Sequence, residues 1–305
     1  MISLDELLHK YNITQREFED ACISWEELQW IYNDYSHKQE KYEEIMARFE
    51  KEYIRNTAQA HIHSYRPRVK DPEHLLVKII RKRFSSYKKY SGLNKDNYEN
   101  YITDIIGFRV FILFKEEWTG FHEYITKQFH NDKAHYISDW SIKYSDNGYF
   151  VEEPKAHIRS GDNRKIYEGL LPDSAIFSGK IYRSVHYTVC FQDTFVEIQL
   201  RTLYEESWGE IDHSIVYPYY EDDALLKEYS SLMNRLSGLA DEMGSYFLQL
   251  RQLEKETMEK PGNIADDAEQ ETDESVESGD MGGIAGALSE ECLTPCAIAQ
   301  NIIHQ

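Results

Sequence analysis

Two acidic residues in strand-like segments are candidates for metal chemistry. Asp104 lies in TDIIGFR, and Glu197 lies in FVEIQLRT. Mg²⁺ prefers oxygen ligands and usually bridges phosphates, so two carboxylates that converge in the fold could hold it during phosphate transfer. Each residue alone is weak evidence, because Asp104 could merely begin a strand and a lone Glu on a strand is usually solvated. Their proximity in the fold decides between these interpretations.

Four basic residues around the start of a predicted helix are candidates for phosphate binding. The helix begins in DPEHLLVKIIR, where Asp71 is a plausible N-cap and Pro72 occupies the first position. N–H groups at a helix N-terminus favour anions, and basic side chains three positions apart share one face. A triphosphate would fit there, whereas a solvated basic face is the alternative. The four residues are Arg68, Lys70, Lys78 and Arg81.

An aromatic and basic turn, KIYRSVHY, could contact a nucleotide. Tyr182 could stack on a base, and Arg183 and His186 could contact phosphate. An ordinary edge tyrosine is the alternative. The sequence contains neither GxxxxGK[ST] nor the glycine loop of protein kinases, so a nucleotide site in this chain is of another type.

The elements that must position these residues are strands flanked by helices. FVEIQLRT alternates strictly, so its apolar face packs into a core while Glu197, Gln199 and Arg201 lie on the other face. The run ITDIIGFRVFILF predicts a buried strand. A short connection containing Asp193 predicts an antiparallel hairpin between SVHYTVCF and FVEIQLRT. We therefore expect an α/β (α+β) fold in which a mixed β-sheet is flanked by helices.

The chain divides into four predicted regions. Residues 1–60 are expected to form a helical N-terminal extension, 61–220 the domain with the candidate residues, 221–260 a long amphipathic helix, and 261–305 a disordered acidic tail. We interpret the apolar stripe of the long helix as intramolecular core, because heptads with matching e and g charges are not evident. A homo-oligomer seam is the alternative.

Charge is distributed unevenly along the 305 residues. The formal net charge is −20, but 261–305 hold ten acidic residues and no Lys or Arg, while 66–89 carry nine basic residues against two acidic ones. A local anion site is compatible with this distribution. There is no signal sequence or run of 18 apolar residues, and the four scattered cysteines support neither a disulfide framework nor a zinc site. We expect a cytoplasmic protein without a membrane partner.

Five segments, in this order, resemble the RelA/SpoT-type synthetases of guanosine alarmones. They are RVKDPEHLLVKIIR, TDIIGFR, YRSVH, VEIQLRT and SWGEIDH, and the resemblance covers residues 68–217. It implies a nucleotidyltransferase-like synthetase core, Mg²⁺ as cofactor, and transfer of pyrophosphate from ATP to the 3′-hydroxyl of GDP or GTP with release of AMP. No hydrolase or regulatory domain of the family is recognisable, so we expect a short, synthesis-only member.

The resemblance implies roles for the residues of the donor half. Arg68 and Arg109 would sandwich the adenine of ATP, and Asp104 would bind Mg²⁺. The ATP phosphates would be held by Lys70, Lys78 and Arg81. Because strict alternation places Asp104 and Arg109 on opposite faces, either Gly107 marks a bulge or Asp104 precedes the regular strand.

In the acceptor half, the resemblance implies that Glu197 shares the metal and assists deprotonation of the attacking 3′-hydroxyl. Gln199 would support Glu197. Tyr182 would stack on the acceptor base, and His186 would approach the acceptor phosphates.

Two departures from the family pattern concern acceptor recognition. Members that make alarmones usually have a Gly before the Tyr and a Lys four residues before it, where this chain has Ile181 and Ser178. Lys180 could supply the missing charge from a neighbouring position. Two alternatives follow: a toxic small synthetase that pyrophosphorylates the 3′-CCA end of tRNA, and a catalytically inactive nucleotide-binding regulator. Intact Asp104 and Glu197 count against the regulator.

Overall fold

The computed structural model describes residues 2–55, 60–133, 136–137, 148–212, 215 and 223–258. Met1–Glu256 form one compact unit and Thr257–Gln305 a second, of which only Thr257 and Met258 are described. The predicted acidic tail therefore lies outside the described residues, and the predicted boundaries near residues 60 and 220 stay predictions. None of the described helices is long and apolar enough to cross a bilayer.

Helices precede, interrupt and follow the strands. The described α-helices are α1 (Leu4–Lys10), α2 (Gln15–Asp20), α3 (Trp25–His37), α4 (Gln39–Phe49), α5 (Pro72–Ser85), α6 (Tyr87–Tyr90), α7 (Tyr98–Tyr101), α8 (Trp118–Gln128), α9 (Leu203–Ile211) and α10 (Ala224–Met258). The described strands are β1 (Ser64–Val69), β2 (Ile106–Ile112), β3 (Tyr149–Phe150), β4 (Lys155–Arg159), β5 (Ile176–Lys180), β6 (Ser184–Phe191) and β7 (Thr194–Thr202).

The helices that border the site begin where capping side chains start them. Asp71 accepts hydrogen bonds from the backbone N–H groups of Glu73 and His74, and Pro72 occupies the first position of α5, as the sequence predicts. Thr202 ends β7 and accepts a hydrogen bond from the N–H of Glu205. Because one residue both ends the strand and caps the helix, α9 leaves the sheet directly at the end of β7.

The seven strands form one mixed sheet. Its order is β1-β2-β7-β6-β4-β5, and β3 pairs with β6. β2 runs parallel to β7 and β4 runs parallel to β5, whereas the other pairs are antiparallel. The mixed sheet and its flanking helices confirm the predicted α/β (α+β) class.

β6 and β7 form the predicted hairpin. Gln192 and Asp193 connect the strands, and their φ angles are 49° and 56°. A two-residue turn with both residues in the left-handed region is of type I′, whose twist matches that of the flanking strands. Phe191 pairs with Thr194 across the turn and so fixes the register of the whole hairpin.

The two faces of the sheet differ in composition. Ile198 of β7 is paired with Phe108 of β2 and Tyr187 of β6, and all three are buried in the main hydrophobic core. Residues paired across strands lie on the same face, and successive residues alternate between faces. The apolar residues of β2, β6 and β7 therefore cover the core, and their alternate, largely polar residues form the opposite face.

Helix α10 is a single helix whose apolar stripe is exposed. Its buried residues are small or polar, and they are Ser230, Ser237, Asp241, Gly244 and Ser245. Our interpretation of the stripe as intramolecular core is therefore wrong for the part of the chain that is described. The periodicity of apolar residues predicted the helix, but it could not show that the opposite, small-residue face would be the one that packs.

Arg83 joins three segments of the chain through backbone hydrogen bonds. Its guanidinium is buried and donates to the carbonyls of Ala21, Cys22, Tyr90, Ser91 and Leu93. A buried charge is tolerated when each of its nitrogens is hydrogen-bonded in this way. Arg83 is one of the nine basic residues of 66–89, and its contacts are structural.

Replacement of Arg83 by Met should destabilise the protein, because several buried carbonyls lose their donor. We expect the free energy of unfolding to fall by about 3–5 kcal/mol in chemical denaturation. Arg16→Met is the matched control, since the Arg16 side chain is 89 % exposed, and it should change stability by less than about 0.5 kcal/mol. Equal effects of the two substitutions would contradict a structural role for Arg83.

Candidate active site

A cavity of about 800 Å³ opens on the polar face of the sheet. Strands β1, β2, β6 and β7, helices α5 and α9 and the turn after α1 contribute its walls. Asp104 and Glu197 contact lining residues without lining the cavity themselves, and Lys180 does not line it. The predicted site residues that line the cavity are Arg68, Lys70, Lys78, Arg81, Arg109, Tyr182, His186 and Gln199.

Strand pairing arranges these residues in rows across the sheet. One row runs from Arg68 of β1 through Gly107 of β2 to Glu197 of β7. A Cβ atom at Gly107 would lie 3.3 Å from Nε of Arg68, so the glycine leaves room for the arginine side chain. The next row consists of Arg66, Arg109, Gln199, His186 and Lys155.

Asp104 lies in the turn before β2 and is held by two lysines. Because β2 begins at Ile106 and keeps an unshifted register with β7, Asp104 precedes the regular strand and no bulge is needed. Its Oδ2 lies 2.8 Å from Nζ of Lys70, and its Oδ1 lies 2.6 Å from Nζ of Lys78. Burial raises the pKa of Asp104, but the charges of Lys78 and Lys70 outweigh burial and lower the pKa to about 2. Asp104 is therefore an anion near pH 7.

Lys70 is fixed by both the sheet and the N-terminal helices. Its backbone N–H donates to the carbonyl of Ile105, and its own carbonyl accepts from the hydroxyl of Tyr35 in α3. Burial lowers the pKa of Lys70, although the charge of Asp104 opposes this effect. The N-terminal helices thus support the site, which the sequence analysis did not predict.

Glu197 points to the polar face from the middle of β7. Its Oε2 accepts a hydrogen bond of 2.8 Å from Nε2 of Gln199. Burial raises the pKa of Glu197, and the negative charge of Asp104 raises it further. The two carboxyl groups therefore have pKa values displaced in opposite directions, which is the usual arrangement when one carboxylate stays ionised and another exchanges a proton.

His186 lies next to Glu197 but does not form an ion pair with it. Its Nδ1 lies 4.0 Å from Oε1 of Glu197. Burial lowers the pKa of His186, and with the nearby His157, Arg201 and Lys155 it brings the pKa to about 3. The ring is therefore neutral near pH 7, and its Nε2 is buried without a hydrogen-bond partner among the described residues. A neutral ring can bond to a ligand without adding charge.

Acidic residues of α9 hold three arginines of the polar face. Nη1 of Arg109 lies 2.8 Å from Oε1 of Glu206 and also pairs with Glu210. Arg66 lies 2.9 Å from Glu210, and Arg201 lies 3.1 Å from Glu206. The sequence analysis missed these two carboxylates. Their spacing of four residues on a predicted helix, which places them on one face, was the available signal.

An aromatic cluster beside Tyr182 was also missed. The ring of His157 in β4 stacks on that of Phe177 with centroids 5.3 Å apart. The His157 ring also lies 5.5 Å from that of Tyr182 and 4.8 Å from that of His186. Alternation of polar and apolar residues in KAHIR was the signal that could have placed His157 on the site face.

The turn between β5 and β6, which carries Ile181 and Tyr182 and is the predicted acceptor turn, is open to solvent at Ile181. Gly179 has a φ angle of 77°, and the Ile181 side chain is 68 % exposed at the mouth of the cavity. The carbonyl of Ile181 accepts a hydrogen bond from Asn234 of α10. Because Lys180 is exposed and does not line the cavity, its role in acceptor binding stays a prediction.

The turn after α1 closes one side of the cavity, and no sequence signal indicated it. The carbonyl of Tyr11 accepts a hydrogen bond of 2.9 Å from Arg81, and the Tyr11 ring lies 5.3 Å from that of His74. Lys10 pairs with Glu73 at 2.6 Å. These contacts fix the N-terminal turn against α5.

The cavity is strongly cationic in a chain of negative net charge. Among its described lining residues, Asp212 is the single acidic one, against eight lysines and arginines. Such a surface fits a ligand with several phosphates. The eight basic residues are Lys10, Arg68, Lys70, Lys78, Arg81, Lys82, Arg109 and Arg201.

The matched family model accounts for this combination of sheet, cations and carboxylates. Residues 67–222, about half of the chain, match the region found in RelA/SpoT proteins. The chain belongs to the RelA/SpoT family. The predicted resemblance is thus confirmed, and the matched region of this RelA/SpoT chain contains all of its predicted site residues. The family is one of nucleotide pyrophosphokinase-type enzymes.

Several solved structures are similar to this RelA/SpoT chain at low identity. The small alarmone synthetase 1 from Bacillus subtilis bound to its product pppGpp is 20 % identical, over 75 % of this chain and 96 % of that one, with a TM-score of 0.39. A GTP pyrophosphokinase family protein from Streptococcus pneumoniae is 20 % identical over 83 % and 97 %, also with a TM-score of 0.39. No curated protein matches the chain. The family assignment rests on the matched region alone.

The opposite pKa shifts of the two carboxyl groups predict opposite effects of neutralising them. Because the pKa of Asp104 is lowered in the folded protein, its carboxylate stabilises the fold at any pH above 3.8, the ordinary pKa of an aspartate. This stabilisation is lost as the pH falls toward 2. Asp104→Asn should therefore lower the free energy of unfolding at pH 7 by about 2 kcal/mol. The raised pKa of Glu197 has the opposite effect. It does not oppose folding below pH 4.5, the ordinary pKa of a glutamate, where the carboxyl group is protonated, and it opposes folding as the pH rises and the buried group ionises.

Glu197→Gln should consequently be more stable than the wild type at pH 8, and the difference should disappear as the pH falls to 4.5. Urea denaturation at a series of pH values measures both variants. A Glu197→Gln variant less stable than the wild type at pH 8 would contradict the raised pKa.

Proposed function

We propose that the chain is an ATP-dependent pyrophosphokinase that transfers the β,γ-pyrophosphate of ATP to the 3′-hydroxyl of GDP or GTP. One observation carries the proposal: Asp104, with a lowered pKa, and Glu197, with a raised pKa, lie beneath a cationic cavity. Family membership supports the same reaction class. The product would be a guanosine tetra- or pentaphosphate, and AMP would leave.

The donor end of the cavity offers contacts for each part of ATP. Arg68 is exposed on β1 and, with Arg109, would flank the adenine. Lys70 and Lys78 would hold phosphates, together with Arg81. Both lysines are paired with Asp104 in the absence of ligand. When ATP binds, each lysine would therefore exchange part of its contact with Asp104 for a contact with phosphate.

The two carboxyl groups fit Mg²⁺ as the cofactor. Mg²⁺ is commonly held by one or two carboxylates, with waters and substrate phosphates as its other ligands. The described residues hold no group of three or more His, Cys, Asp or Glu side chains arranged for a metal, so Asp104 and Glu197 would need oxygens of ATP to complete the shell. When bound, the ion would neutralise charge on the transferred phosphates.

Glu197 would accept the proton of the attacking hydroxyl. The 3′-oxygen forms a bond to the β-phosphorus of ATP, the bond from that phosphorus to the α–β bridging oxygen breaks, and AMP leaves with the bridging oxygen. The raised pKa of Glu197 makes it a better base than an exposed carboxylate. Gln199 donates to Oε2 of Glu197, which leaves Oε1 for the proton.

The acceptor would bind at the end of the cavity formed by Tyr182 and His186. Tyr182 would stack on the guanine. His157 of β4 would support the Tyr182 ring within the aromatic cluster. Because the His186 ring is neutral, it would bind an acceptor phosphate through one donated hydrogen bond and not through an ionic contact.

A second acceptor is favoured by the exposed surface at and beside the mouth of the cavity. Ile181, which precedes Tyr182 in the chain, is 68 % exposed, Phe177 is 37 % exposed, and Lys180 between these two is also exposed. Such a surface suits an acceptor longer than one nucleotide, as in the 3′-CCA end of tRNA. Incubation with ATP labelled in the γ-phosphate and either GDP, GTP or tRNA discriminates the acceptors. Label on tRNA alone would overturn the guanosine nucleotide assignment.

Glu197→Gln should abolish transfer without abolishing ATP binding. Loss of a general base costs about 10²–10⁴-fold in rate, so turnover should fall by at least about 10²-fold, while the Kd for ATP changes little. Glu123→Gln is the matched control, because Glu123 is 63 % exposed on α8, and it should retain full activity. An inactive wild type that still binds ATP would favour the regulator.

Substitutions at the two ends of the cavity should separate the two substrates. Because base stacking contributes about 1–3 kcal/mol, Tyr182→Ala should raise the acceptor KM about 10- to 100-fold and leave the ATP KM unchanged. Arg68→Ala should give the reverse pattern. Steady-state kinetics with each substrate varied in turn measures the two KM values. Equal effects of a substitution on both KM values would contradict the assignment of the two ends of the cavity.

A further inference from the structure

Helix α10 contacts the acceptor turn on both sides of Tyr182. Before Tyr182, the carbonyl of Ile181 accepts a hydrogen bond from Nδ2 of Asn234. After it, Nη2 of Arg183 forms an ion pair of 3.2 Å with Oδ2 of Asp241. Asn234 and Asp241 are seven positions apart, so they lie on one face of the helix, two turns from each other. One rigid element therefore holds the two neighbours of Tyr182.

Arg183 points away from the cavity. Its side chain is 6 % exposed and does not line the cavity, and its Nε donates a hydrogen bond of 3.0 Å to Oδ2 of Asp162, which follows β4. Burial lowers the pKa of Arg183, but the charges of Asp241 and Asp162 outweigh burial and raise it. The contact with phosphate that the sequence suggested for Arg183 is therefore not supported, and its guanidinium anchors the turn instead.

Asp241 belongs to a buried chain of ion pairs that ends at the acceptor turn. Its Oδ2 lies 3.5 Å from Nη1 of Arg159 in β4, and Nη2 of Arg159 pairs with Glu205 of α9. Removal of one member of such a chain leaves a buried charge without its partner. In order, with alternating sign, the members are Glu205, Arg159, Asp241, Arg183 and Asp162.

Close packing of the helix backbone places the Asp241 carboxylate. A Cβ atom at Gly238 would lie 3.0 Å from Nη1 of Arg159, so α10 approaches β4 closely one turn before Asp241. Ser237 and Ser245, on either side of Asp241, are buried as well. Since an aspartate side chain is short, its carboxylate follows the backbone. The position of α10 is thereby passed on to Arg183.

We propose that Asn234 and Asp241 are positioning residues for the acceptor, which fix the turn so that Tyr182 is placed to stack on a guanosine nucleotide before it binds. This rests on the proposed function, in which Tyr182 stacks on the acceptor base. Neither residue lines the cavity, so each acts through the turn. A loop that is already ordered avoids the cost of ordering on binding, which strengthens affinity without a new contact.

The effect should be confined to the acceptor. The donor end is held by other contacts, because Lys70 and Lys78 pair with Asp104 and Arg109 pairs with Glu206. Looser tethering of the turn should therefore weaken acceptor binding and leave ATP binding unchanged. A merely structural role would weaken both, since partial unfolding affects the whole cavity.

Calorimetric titration of the full chain with GDP, and separately with a non-hydrolysable ATP analogue, tests the proposal. Asn234→Ala should raise the Kd for GDP about 5- to 10-fold, the usual effect of one lost hydrogen bond. Asp241→Asn should raise it at least about 10-fold, because Arg183 loses a charged partner. Glu242→Gln is the matched control, since Glu242 is the next residue of α10, pairs with Lys115 and is 46 % exposed, and it should bind GDP as the wild type does.

A second substitution at Asn234 separates the hydrogen bond from the space that the side chain fills. Asn234→Asp keeps the size, but an ionised aspartate cannot donate to the carbonyl of Ile181, so it should weaken GDP binding as much as Asn234→Ala. Asn234 is partly exposed, so both variants should fold even if Asp241→Asn does not. In steady-state kinetics the KM for GDP should rise in these variants while kcat changes less than about two-fold.

The outcomes distinguish this proposal from the proposed function. Asn234 variants that bind GDP as tightly as the wild type, or that lose GDP and ATP affinity equally, overturn the positioning role. A wild type that does not bind GDP also overturns it. A wild type that binds GDP but transfers no pyrophosphate overturns the proposed function alone, because the Kd values are measured without transfer.

Discussion

The parallel pairing of β2 with β7 is the constraint on which the rest of the site depends. It sets Gly107 opposite Glu197 and so brings the turn carrying Asp104 to the same end of the sheet as Glu197. A slip of one residue would move Glu197 to the core face and Ile198 to the cavity. The buried Ile198 and its paired neighbours Phe108 and Tyr187 make such a slip costly, so the hydrophobic core holds the register on which the chemistry relies.

The charges of the polar face are arranged before any ligand binds. Asp104 is paired with two lysines, and Glu206 and Glu210 of α9 hold arginines of three different strands. These pairs lower the mutual repulsion of the cations and fix their side chains, which is the condition for preorganised electrostatic stabilisation. Glu197 is the exception, since burial and Asp104 disfavour its charge. One face thus holds a stable anion and a carboxyl group that can take up a proton.

Helix α10 links this face to the outer surface of the unit. Its Asn234 bonds to the carbonyl of Ile181 in the acceptor turn, and its Asp241 pairs with Arg183 next to Tyr182. The small residues on the packed side permit this close approach, and large apolar residues are left exposed on the other side. The same helix therefore supports the predicted acceptor turn.

The sequence by itself determined the family and most of the elements. Strict alternation predicted β7 and its faces, Asp71 and Pro72 predicted the start of α5, and the segment order predicted the RelA/SpoT family. Only the tertiary structure decided that Asp104 precedes β2, that the N-terminal Tyr11 and Tyr35 contact the site, and that α10 packs by its serines and glycines. The reason is physical: periodicity reports which residues of one element share a face, whereas the partner of that face is set by contacts between segments far apart in the chain.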